Sequence, residues 1–272
     1  VTSRKGVRAD PAVGRAPLLL VLPALLGLAV LVLPLVSLLV RTPWSTMPAR
    51  LVDPVVLDAL WLSLLTSTIT MALCLLLGLP LAWVLARTHV RGRALLRGVI
   101  TVPLVLPPVV AGVALLTAFG RSGILGAPLR DLGITIPFTT TAVVIAHTFV
   151  ALPFFVISVE GAFRASNRDY DLVAATLGAD RWTVFRRVTV PLALPGIIAG
   201  LVLGWARSLG EFGATITFAG NFPGTTQTMP LAVYSALQSD PEAALVLSVI
   251  LLLVSVLVLV LLRDRWLQQA AR

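Results

Sequence analysis

The chain has a single cysteine, Cys74, one lysine and two histidines, His89 and His147, in 272 residues. One thiol excludes an internal disulfide framework or a cysteine metal cluster. The two histidines have no ligand company, which leaves no metal centre to build. His147 reads as a hydrogen-bonded packing residue and His89 as a solvated one. Charge is scarce too: 12% of residues, where a soluble domain carries about 25%. No GxxxxGK[ST] loop is present to cradle nucleotide phosphates. His, Asp, Ser and Cys do not cluster within the apolar segments, which argues against a membrane enzyme. What fills the space instead is hydrophobic, 58% of the chain with a mean hydropathy of +0.98. That composition defines an all-α, polytopic membrane protein.

Six apolar stretches are long enough to cross a hydrocarbon core of roughly 30 Å. They lie near 17–40, 57–86, 95–119, 139–163, 190–213 and 243–262. The first is too long for a signal peptide and is followed by further spans. Cys74 sits inside the second as a small buried apolar residue. The net charge of +9 would suggest nucleic-acid binding in a soluble chain. Topology explains it better, and no nucleic-acid partner is expected. Sixteen basic residues fall on one side: Arg4, Lys5, Arg8, Arg15, Arg87, Arg91, Arg93, Arg97, Arg164, Arg168, Arg181, Arg186, Arg187, Arg263, Arg265 and Arg272. Arg41, Arg50, Arg121 and Arg130 fall on the other. The positive-inside rule therefore expects both termini in the cytoplasm. Residues 1–272 read as one transmembrane domain, without an internal repeat.

The connector 164–187, RASNRDYDLVAATLGADRWTVFRR, is longer than two membrane helices need. It reads as two short helices with a break. Val173 and Leu177 share one face, as do Trp182 and Phe185. Gly178 suits the left-handed turn that ends a helix, and Asp180 suits the cap of the next. Such an amphipathic hairpin at the membrane face is a surface for docking a soluble partner.

This hairpin resembles the cytoplasmic motif of ABC importer permeases, Glu-Ala-Ala, three residues, Gly, nine residues, Ile-x-Leu-Pro. Leu172, Val173 and Ala174 stand at the first three positions, Gly178 at the glycine, and Val188, Val190 and Pro191 at the end. The motif glutamate is missing, and Asp171 lies one position earlier as a partial substitute. A second run, Gly210-Glu211-Phe212-Gly213-Ala214-Thr215-Ile216-Thr217-Phe218 through Asn221 and Pro230 to Tyr234, is similar to the molybdate branch of the molybdate/sulfate permeases. The resemblance implies a type I permease fold and a homodimer embedded in membrane lipid. It also implies two cytoplasmic ATP-binding subunits, which use ATP and Mg²⁺ while this chain holds no cofactor. An extracytoplasmic binding protein would deliver the oxyanion. The implied docking residues are Asp171, Leu172, Val173, Ala174, Leu177, Gly178, Ala179, Asp180, Trp182 and Phe185. The implied location is a bacterial or archaeal cytoplasmic membrane. Sulfate and tungstate permeases are the nearest alternatives. A secondary transporter would need no docking hairpin and would show ion-coupling carboxylates in discontinuous spans.

Arg207 and Glu211, four apart near the outer end of the fifth span, share a face and form either a gate or a static pair. Gly204, Gly210 and Gly213 permit close packing or bending there. With Thr215, Thr217 and Asn221, whose hydroxyls and amide suit an anion, Arg207, Glu211 and Gly213 are the pathway candidates. Residues 214–242 read as a polar outer loop. Pro103, Pro107 and Pro108 must bend or break the third span. Glu160 pairs by default with Arg164.

Overall fold

A computed structural model describes residues 18–88 and 91–270. The basic N-terminal tail, His89 and Arg272 lie outside the described residues. The chain divides into two units, 1–43 and 44–272. The first contains α1 (Leu18–Arg41), apolar all round and interrupted by Pro23 and Pro34. Its exposed leucines and valines are those of a helix whose solvent is lipid.

In the second unit, the short α2 (Met47–Leu51) leads into α3 (Pro54–Leu73). The Asp53 side chain accepts the Val55 amide, and Pro54 in the first turn has no N–H that would need an acceptor. A π-turn at Cys74–Gly78 joins α3 to α4 (Leu79–Arg87) in one span. Pro80 follows this turn and cannot donate to a carbonyl in the turn before it, so the wider turn absorbs the mismatch. Next come α5 (Arg93–Val105), α6 (Pro108–Phe119), α7 (Gly126–Asp131) and α8 (Thr140–Ala165). The hairpin helices are α9 (Asp169–Thr176) and α10 (Arg181–Val184). A second π-turn, Phe185–Thr189, precedes Pro191 and runs into α11 (Val190–Leu209). The chain closes with α12 (Gly213–Phe218), α13 (Met229–Ser239) and α14 (Pro241–Ala270).

Among the described residues, five helices are long and apolar enough to cross a membrane. The expected third span is not one rod: α5 and α6 meet at 117°, a broken span or a re-entrant loop. Leu106 is extended ahead of two consecutive prolines, as a residue before proline prefers. The expected fifth span also ends early, at Leu209, and the expected loop 214–242 contains two helices. Thr215, Phe218, Thr226, Thr228, Met229 and Leu231 are buried there.

The central element is α8, which packs on α3, α4, α5, α11 and α12. Phe155, Val159 and Phe163 fill one cluster with Met71, Cys74, Leu85 and Ile197. Val143, Ala146 and Val150 fill another with Leu115, Ala214 and Phe218. Two glycines allow α6 and α12 to touch. A Cβ at Gly112 would lie 2.5 Å from Thr217 Cβ, and one at Gly213 would lie 2.5 Å from Pro108 Cβ.

Candidate functional site

Three polar features stand out from the apolar bundle. The first is the hairpin. Gly178 adopts φ +87°, the left-handed conformation that costs an L side chain strain. Its amide donates to Ala175 O and the Ala179 amide to Ala174 O, the paired bonds of a left-handed helix stop. Asp180 then caps α10 by accepting the Thr183 amide at 3.0 Å. Hydrogen bonds from Thr183 hold its carboxyl below the usual range. Leu172, Val173, Leu177 and Trp182 are exposed, Leu177 at 83%.

The same hairpin is tied to the end of α4. Arg87 donates to the Ser166 hydroxyl at 2.5 Å and Arg168 donates to Ala86 O at 2.8 Å. Asp171 accepts the Thr189 hydroxyl at 3.0 Å and lies 3.6 Å from Arg87. The carboxylate nearest the missing motif glutamate is thus engaged at the root of the hairpin, by residues just outside it. Phe185 meets Trp83 edge-on at 5.8 Å and stacks on Trp182 at 5.5 Å.

The second feature is Glu160, 2% exposed, with Arg97 and Arg164 each at 2.6 Å and Arg93 at 3.7 Å. Sequence spacing exposes the Arg164 partner alone. The two arginines of α5 come from over sixty residues away in the chain.

The third feature is Arg207 with Glu211, 2.8 Å apart. Glu211 is 1% exposed and lies beyond α11, in the break before α12, where it also accepts the Ala214 amide at 3.0 Å. The other pathway candidates make local contacts. Thr217 donates to Gly213 O, and the Asn221 amide donates to Ser235. The Thr215 hydroxyl is buried without a hydrogen-bond partner among the described residues.

A polar seam on α3 lies outside the residues that sequence reasoning singled out. Ser63, Thr66, Ser67 and Thr70 are all buried on one face of that helix. Their spacing of three, four and seven was the available signal. Ser208 bonds Ser67 at 3.3 Å and His147 Nδ1 at 3.0 Å, while Ser63 accepts the Met229 amide at 2.7 Å. His147 is the hydrogen-bonded packing residue that its isolation implied.

Long apolar helices around α8, with a polar hairpin between two of them, form the type I permease fold of ABC importers. A bacterial ABC transporter that imports the acidic polysaccharide alginate has a chain of this fold. It superposes with a TM-score of 0.72 at 17% identity, covering 92% of this chain and 94% of that one. Residues 75–272 match the family of binding-protein-dependent transport system inner membrane components. The class is therefore the membrane subunit of an ABC importer, multi-pass and itself non-catalytic. Among curated relatives, the molybdenum transport permease ModB of Mycobacterium tuberculosis is 52% identical over 237 residues, 87% of this chain and 90% of its own length. ModB of Escherichia coli K12 is 42% identical over 221 residues, 79% and 94% of the two chains. This chain belongs to the ModB family of permease subunits.

Proposed function

We propose that this chain is half of a homodimeric permease that moves molybdate into the cytoplasm, powered by two ATPase subunits docked on residues 164–187. The single observation that carries the reading is the 52% identity to a molybdenum permease along nearly its whole length. The geometry agrees with it. Leu172, Val173 and Leu177 offer exposed apolar contacts just ahead of the Gly178 turn. Ala174, Ala179 and Asp180 set the turn, and Asp171 and Phe185 hold it to the span above. Trp182 lies exposed beside it.

The polar contacts fall into two groups. Arg87 meets Ser166 and Asp171 of the hairpin, Arg168 meets Ala86 O at the end of α4, and Arg93, Arg97 and Arg164 meet Glu160. Arg50 meets Asp240, and the Thr140 hydroxyl meets Thr225 O. The first group is assigned to the cytoplasm and the second to the outside by the excess of arginine. Arg207, Glu211, Gly213, Thr215, Thr217 and Asn221 remain the proposed outer gate region.

Proteoliposomes holding this permease, its ATPase and its binding protein test the substrate. Radiolabelled molybdate should accumulate with ATP, and tenfold excess sulfate should compete weakly. Sulfate accumulated as fast as molybdate would overturn the assignment of the anion.

A further inference from the structure

Two adjoining clefts of opposite character meet at the root of the hairpin. One, of about 620 Å³, is bounded by Arg87, Arg168, Arg181 and Asp171. The other, of about 330 Å³, is walled by Pro80, Trp83, Trp182 and Phe185. Arg181, Trp83 and Phe185 line both, so the two form one slot with a cationic end and an apolar end. Three arginines against one aspartate leave an excess of two positive charges. The aspartate is already committed to Thr189 and Arg87. Arg168 and Arg181 take part in no ion pair among the described residues. Arg87 has a side chain only 6% exposed, and its Nε and Nη1 have no hydrogen-bond partner among the described residues.

We propose that this slot binds an anionic phospholipid of the surrounding membrane. Arg168 and Arg181 hold the phosphate, and an acyl chain lies against Trp83, Trp182 and Phe185. Guanidinium groups form paired, charge-assisted bonds to phosphate oxygens. Tryptophans gather at the membrane–water interface, where an apolar body and a polar tip are both accommodated. Basic pockets beside the cytoplasmic ends of spans are where anionic headgroups dwell. A free oxyanion would use the arginines and leave the apolar wall without purpose. The inference rests on the proposed cytoplasmic placement of the hairpin. It adds a consequence: lipid wedged between α4 and α10 would set how firmly the hairpin follows the span, making transport sensitive to anionic lipid.

The test uses native mass spectrometry of the purified permease, alone and with its ATPase, after exchange into phosphatidylglycerol or phosphatidylcholine. Phosphatidylglycerol should be retained about 25-fold more than phosphatidylcholine in both forms, Arg168 and Arg181 each contributing roughly fivefold. Arg168→Gln with Arg181→Gln should abolish the preference. Arg168→Lys with Arg181→Lys should keep most of it, which separates lost charge from lost fold. Equal retention of the two lipids, or an unchanged preference in the glutamine variant, overturns the proposal. Displacement of the lipid by millimolar inorganic phosphate would make this a soluble-anion site and overturns it too. Release of the lipid on ATPase docking would assign the slot to the protein partner and likewise overturns the lipid site. Gly178→Val reports separately on docking: it should weaken ATPase association and leave lipid retention by the permease unchanged. Normal association with retained lipid would count against the docking surface alone.

Discussion

Glu160 and Glu211 are both buried carboxylates, but their surroundings make opposite demands. Glu160 neutralises part of a three-arginine cluster whose members are 31–49% exposed. Water screens what remains, so Glu160→Gln should cost about 1–3 kcal/mol rather than unfold the protein. Thermal unfolding in detergent would show this as a lower midpoint, and an unchanged midpoint would mean the carboxylate is not ionised there. Glu211 is 1% exposed while Arg207 is 32% exposed. Arg207→Ala strands a charge with the Ala214 amide as its main remaining partner, whereas Glu211→Ala leaves a cation that is not buried. Arg207→Ala should therefore be the more damaging, by up to about 3–5 kcal/mol. The double neutral variant should express better than either single one. If the pair also gates, the double variant should assemble but hydrolyse ATP without proportionate uptake. Wild-type uptake and coupling in that variant would reduce the pair to structure, and two fully active single variants would mean the groups are solvated and independent.

Among the elements, the hairpin depends on one backbone conformation. A Cβ at Gly178 would meet nothing within 4 Å, so space is not the constraint. The φ of +87° is, and a β-branched side chain there strains the turn by about 1–3 kcal/mol. Gly178→Val should insert in the membrane normally, lose most ATPase co-purification and lose uptake with it. Normal co-purification and normal uptake would sink the docking role. The Asp180 cap supports the same turn. A carboxyl held below its usual range stabilises the folded turn at neutral pH and withdraws that support only as acid protonates it. Association with the ATPase should accordingly be insensitive to pH near neutrality on this account. The break between α5 and α6 and the break at Gly210–Phe212 belong together physically. Gly213 and Gly112 let α12 lie against α6, so the helices that follow the two breaks pack on each other.

For the whole molecule, the distribution of arginine is the feature with the largest consequence. In a Cys74→Ser background, Thr225→Cys should react with an impermeant thiol reagent in intact cells and Arg91→Cys should not. Both positions are exposed, so burial does not confound the comparison. Labelling of Arg91→Cys with protection of Thr225→Cys would reverse the orientation and remove the docking proposal with it.

Much of this protein follows from local chemistry, which sequence carries openly. Hydrophobic length determines the spans at 57–86 and 139–163 to within a few residues of Pro54–Arg87 and Thr140–Ala165. Turn and cap preferences determine the hairpin, because Gly178 and Asp180 act on their own backbone. Tertiary structure alone decided what depends on distant partners. Arg97 reaches Glu160 across the bundle, and Ser208 joins Ser67 to His147 from three separate helices. It also decided that residues 213–239 contain two helices, although their Thr, Asn, Gln and Gly content reads as loop. Burial of Thr215, Phe218, Met229 and Leu231 against neighbouring helices overrides their local preference, since packing energy is collected only once the chain has closed on itself.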